Sequence, residues 1–98
     1  MMEPNMIRTD VREILYDAVS SVMQEAAHRQ LDLQVDLPDP IFRECDEAML
    51  YSAFSNIMTN DIRYSRSYIR VGTEQENDKV RIRFEGTVMR SRAVIVNL

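Results

Sequence analysis

Apolar positions recur at helical spacing through the first third of the chain. Val11, Ile14, Leu15, Ala18, Val19, Val22, Met23 and Ala26 stand three and four residues apart, which puts them on one stripe of a 3.6-residue helix. Asp10 precedes the stripe and Glu13 follows it by three, a capping-box-like start. The spacing predicts a helix over 10–29, roughly 30 Å long. The period then changes. Leu31-Asp32-Leu33-Gln34-Val35-Asp36-Leu37 alternates strictly between apolar and polar, as a strand with one buried face does. Pro38-Asp39-Pro40 stops that strand, since proline cannot donate to a ladder.

Ile41-Phe42-Arg43 reads as a short extended piece. Asp46 then caps a second helix, whose inner face is Leu50, Ala53, Phe54, Ile57 and Met58 and which runs to about Tyr64. Period-two alternation returns in Tyr68–Thr73 and Val80–Phe84, with the polar stretch Glu74–Asp78 between them as a hairpin loop. Ile69, Val71, Val80, Ile82 and Phe84 are expected to face the helices, and Arg70, Arg81 and Arg83 to face away. Beyond Gly86 the pattern weakens until a last strand at 93–98. The order helix, strand, helix, strand, strand, strand predicts an α+β fold: a two-layer α/β sandwich, with two amphipathic helices on one face of a mixed or antiparallel sheet of about four strands. With no repeat or linker, residues 1–98 read as a single domain.

Composition narrows the class. Apolar residues are 45% and charged residues 29%, which suits a globular chain with a core. One cysteine, Cys45, makes neither a disulfide scaffold nor a zinc site and reads as a small packing residue. No apolar run approaches the roughly 20 residues of a membrane span, and Met1–Asn5 lacks the pattern of a signal peptide. The expectation is a soluble cytoplasmic protein with no membrane contact. Net charge is −4, but residues 1–49 carry 11 acids against 4 bases, and residues 50–98 carry 5 against 8. An acidic whole disfavours unspecific nucleic-acid binding, which neutralises phosphates. Anion binding through Arg70, Arg81, Arg83, Arg90 and Arg92 therefore ranks last among the readings.

Most candidate chemistry is explained by simpler roles. His28 closes the first helix, where a cation suits the helix dipole. Ser20, Ser21 and Ser52 lack a nucleophile-elbow context. Asp36, Asp39, Glu44, Asp46 and Glu47 read as an acidic surface and a helix cap more simply than as a metal cluster. Asn56 and Asn60 differ. They stand four apart in mid-helix, where Asn is a mediocre former, and their amides share a face. Such amides either satisfy neighbouring backbone and water or ligate a hard cation through oxygen.

Phe54-Ser55-Asn56-Ile57-Met58-Thr59-Asn60-Asp61-Ile62-Arg63-Tyr64-Ser65 resembles the N box of the ATP-binding domain of sensor histidine kinases. That domain belongs to the Bergerat-fold ATPases, with gyrase and a class of chaperones. The resemblance covers residues 9–85. Asp10–Leu15 matches the family's opening helix, Leu31–Leu37 its next strand, Cys45–Leu50 its Gly-Asp-x-x-Arg-Leu, and the two later strands its strand pair. It implies a truncated Bergerat-like fold. It also implies a nucleotide site at Asn56, Asn60, Arg63 and Tyr64, with Asn60 coordinating the magnesium (Mg) that bridges the ATP phosphates.

Two departures shape the functional expectation. Asp61 stands where the family has a small Ala, and a carboxylate there repels ATP unless it points away or helps hold the metal. The family's Asp-x-Gly-x-Gly, lid and second Gly-rich segment have no counterpart in Phe84–Arg90, and the chain holds only Gly72 and Gly86. Residues 86–98 thus form a divergent C-terminal strand. The expectation is a catalytically silent relative acting in signal transduction, in a two-component setting, through a protein partner or as a homo-oligomer. It has no catalytic residues and no cofactor. The alternative is a residual Mg-ATP module of a histidine protein kinase.

Overall fold

In the computed structural model the elements are β1 (Ile7–Asp10), α1 (Val11–Ser20), α2 (Met23–His28), β2 (Asp32–Asp36), β3 (Phe42–Cys45), α3 (Glu47–Tyr64), β4 (Tyr68–Glu76), β5 (Lys79–Gly86) and β6 (Arg92–Asn97). The structure describes residues 5–37, 39–76, 79–86 and 92–97, with backbone alone for 75–76 and 92–97.

The main sheet runs β2-β4-β5-β6, and β1 pairs with β3 in a separate antiparallel ribbon. β2 and β4 are parallel, with Leu33 opposite Ile69 and Val35 opposite Val71. Parallel neighbours need a crossover, which β3 and α3 supply. β4–β5 and β5–β6 are antiparallel. The alternation read from the sequence puts Ile69, Val71, Val80, Ile82 and Phe84 on the inner face, all buried. They join Val11, Leu15 and Ala18 of α1 and Phe54, Met58 and Ile62 of α3 in one apolar cluster. Phe54 and Phe84 meet with ring centroids 6.1 Å apart, which ties α3 to β5. This is the α+β arrangement of helices over one sheet face that the pattern predicts.

The outer face carries the arginines, as expected, but they are interleaved with acids. Arg83 lies 3.3 Å from Glu74 and 3.7 Å from Glu85. Arg70 donates to Gln34 at 3.3 Å and stacks over Tyr68.

Four expectations change. The long first helix is two. The Ser21 hydroxyl donates to the Ala18 carbonyl at 2.6 Å, and the Val22 amide turns to Val19 at 3.1 Å, so the helical ladder breaks there. Val22 and Ala26 stay in the core, whereas Met23 swings out to 55% exposure. β1 was not anticipated, because its four residues show no alternation and only pairing with β3 makes them a strand. β4 continues to Glu76, opposite Lys79, which shortens the expected loop; residues 77–78 lie outside the described set. The last strand is Arg92–Asn97, and Leu98 lies outside the described residues.

Asp10 joins the ribbon to the first helix. Its Oδ1 accepts from the amides of Arg12 and Ile41, each at 3.0 Å, and the Ile41 carbonyl accepts from Val11 at 2.7 Å. The cap bond therefore comes from Arg12, with Glu13 exposed beside it.

At the other end, α2 closes in a Schellman motif. Leu31 N–H reaches the Ala26 carbonyl at 2.9 Å and Gln30 N–H the Ala27 carbonyl at 3.0 Å, with Gln30 at φ 58°. A side chain in that left-handed region is strained and glycine is not. Gln30→Gly is expected to raise stability by about 0.5–1 kcal/mol, seen as a higher urea midpoint at unchanged slope.

Candidate functional site

α3 carries the candidate residues and is fixed at both ends. Asp46 caps it, accepting from the Met49 amide at 3.2 Å and from the Asn5 amide at 2.9 Å. These N–H groups, Asn5 first, hold the Asp46 carboxyl below its usual range. The helix ends where Ser65 turns extended (φ −81°, ψ 151°) while its amide still reaches the Asp61 carbonyl at 2.8 Å. The Ser65 side chain fills the space that a Cβ on Gly86 would need. Glycine at the end of β5 thus lets α3's last turn dock closely on the sheet.

Phe54, Met58, Asp61 and Ile62 form the buried stripe of α3. At 100° per residue, Asn56, Asn60 and Tyr64 fall in one row along the flank, with Arg63 beside it. Asn60 is half-buried, Asn56 and Arg63 are exposed, and Tyr64 is 55% exposed. The four sequence-predicted residues thus share one accessible side of a rigid helix. Asp61 does not belong to that row. It is 2% exposed and turned toward the core, so of the alternatives the sequence leaves for this carboxylate, pointing away from the row is the one observed.

Among the described residues no glycine-built cradle for an anion stands beside the row. A backbone phosphate cradle uses consecutive N–H groups in turn conformations, usually with left-handed glycines. Gly72 and Gly86 are both strand residues, and among the described residues no glycine has positive φ. Five residues, 87–91, join β5 to β6. Among the described residues no three His, Cys, Asp or Glu side chains gather for a metal, and no helix is long and apolar enough to cross a membrane. Cys45 is buried, as expected of a packing residue, and burial pushes its thiol up. His28 lies in the last turn of α2, exposed.

A concavity elsewhere on the molecule carries no signal in the sequence pattern. A groove of about 550 Å³ lies between β1, α1 and the first turns of α3, lined among others by Ile7, Ile14, Asp17, Asp46, Glu47 and Tyr51. Its walls come from three separate stretches, so no local pattern announces it. The nearest signal was the acidic balance of residues 1–49.

No protein-family model and no curated protein matches the sequence. Solved structures do match. The Acinetobacter baumannii histidine kinase AdeS superposes with a TM-score of 0.77 at 16% identity, over 91% of this chain and 46% of that one. The catalytic domain of histidine kinase ThkA gives 0.79 at 16%, over 91% and 63%; ThkA is also solved in complex with response regulator protein TrrA. Full-length ShkA in complex with AMPPNP gives 0.76 at 14%, over 85% and 19%. The chain thus spans less than two thirds of the chains it matches. Over the part that it spans, it has the fold of the histidine kinase catalytic domain, a shortened Bergerat-like α+β sandwich.

Proposed function

We propose that this chain is a catalytically silent relative of the histidine kinase ATP-binding domain, and that it acts in cytoplasmic signal transduction by binding another protein. One observation carries the reading: a five-residue link between β5 and β6, in a chain with two glycines, both in strands. A link of five residues between antiparallel strands can reach roughly 9 Å at most beyond the strand ends, too little to close over a nucleotide. The row Asn56, Asn60, Tyr64 would then be an open flank of α3, not a closed site. The ThkA complex with a response regulator supports protein contact as a use of this fold, and a second copy of the chain is the other partner to test.

The alternative, a residual Mg-ATP module, is favoured by the row itself. Asn60 would hold magnesium, with Asn56 beside it as a more structural amide; Arg63 would approach the phosphates, and Tyr64 would line the nucleotide site. The residues fit that ligand only in part, since the described structure offers side-chain donors and no glycine-built cradle.

Titration of ¹⁵N-labelled protein with Mg-ATP separates the two. At millimolar nucleotide the amides of Asn56, Asn60 and Tyr64 are expected to stay in place; saturable shifts confined to them would establish the alternative. Sedimentation across concentrations decides whether the partner is a second copy.

A further inference from the structure

We propose that the groove between β1, α1 and the start of α3 is the docking site for a basic, amphipathic segment of a partner protein. It rests on the protein-binding reading above and names the surface and the chemistry of the partner.

The groove combines two features that singly mean little. The first is exposed apolar surface. Ile7 is 49% exposed and Tyr51 37%, and Met6 and Met49, each close to them in sequence, are exposed as well. Scattered exposed apolar residues are ordinary, but apolar residues around one concavity mark contact surfaces. The second is uncompensated charge. Asp17, Asp46 and Glu47 line the groove, and among the described residues no Lys or Arg does. Two of these acids are held by neutral donors: Asp46 by the amides of Asn5 and Met49, Glu47 by the Thr9 hydroxyl at 3.2 Å. Those bonds fix the carboxylates and leave their charge in place. A segment that inserts apolar side chains beside Ile7 and Tyr51 while presenting Lys or Arg to the three acids satisfies both features, and such complementarity sets partner choice and approach.

A second copy fits less well. The arginines of the outer sheet face are interleaved with acids, and Arg83 already lies against Glu74 and Glu85. Pairing groove with sheet face would be heterologous, and such contacts grow into open chains unless the rotation closes. The groove also lies away from the asparagine row. Glu47 and Asn60 are thirteen residues apart on α3, about 20 Å along its axis, so ligands at the two places report separately.

The probe is a short synthetic Leu/Lys amphipathic peptide titrated into the ¹⁵N-labelled full chain. Shifts should concentrate at Ile7, Asp17, Ala48 and Tyr51. Asp17→Lys and Tyr51→Ser, both at exposed positions, should each weaken binding by about tenfold or more. The double change Asp32→Lys with Asp36→Lys, on the remote edge strand, should alter it less than twofold. Equal binding of a Ser/Lys peptide of the same charge, or shifts spread over the acidic surface, overturns the proposal as bulk electrostatics. A peptide-free dimer that protects Ile7 and Tyr51 overturns it in favour of self-association. Nucleotide shifts at Asn60 with the peptide result intact would overturn the silent reading alone.

Discussion

Replacing Phe54 by Ala is expected to remove about 3–5 kcal/mol of stability. Phe54 is completely buried in α3 and meets Phe84 of β5, also buried, across the helix–sheet layer. The substitution forfeits the transfer free energy of the ring and leaves a cavity that the rigid sheet cannot fill. It also deletes an aromatic pair worth about 0.5–1.5 kcal/mol beyond area. Domains of this size hold about 5–15 kcal/mol in total, so the variant should be partly unfolded on mild warming. Urea unfolding followed by circular dichroism should show a much lower midpoint at unchanged slope. A loss under about 1 kcal/mol would mean that the two layers are not packed through this pair.

Asp10→Ala should cost about 2–4 kcal/mol, nearly as much, with almost no apolar volume removed. The carboxylate caps α1 through the Arg12 amide and also accepts from the buried Ile41 amide thirty-one residues away. Losing the cap costs about 1 kcal/mol. Orphaning a buried N–H costs about 1–3 kcal/mol more, because water does not replace the lost acceptor. Asp10→Asn discriminates. Its amide oxygen still serves both N–H groups, and only the 3.4 Å contact with the Arg12 guanidinium weakens, so it should retain most of the stability. Equal damage from both variants would mean that the charge matters and the bridging geometry does not. Hydrogen exchange should locate the Ala effect at the amides of Arg12 and Ile41.

The sheet and α3 were legible because their signals are local. Period-two alternation in Leu31–Leu37, Tyr68–Thr73 and Val80–Phe84 chose the buried face correctly, and Asp46 marked the start of α3. The row Asn56, Asn60, Tyr64 was legible too, since i, i+4, i+8 spacing fixes a helix face. The break at Ser21 was not, because Val22 and Ala26 keep the apolar stripe running through it. The burial of Asp61 was hidden for a different reason. A charged residue type argues for solvent, whereas its helical phase, seven residues on from Phe54 and so on nearly the same side, puts it inside.

What the sequence determined by itself was everything set by residue type and spacing over a few positions: strand faces, helix caps, the amide row, and the presence of only two glycines in these 98 residues. Tertiary structure alone decided the rest. β1 exists only because β3 lies beside it, Asp10 bridges two segments that the chain leaves far apart, and the acidic groove is assembled from three separate stretches. Contacts of that kind depend on how elements pack against each other, and a period along the chain carries no record of them.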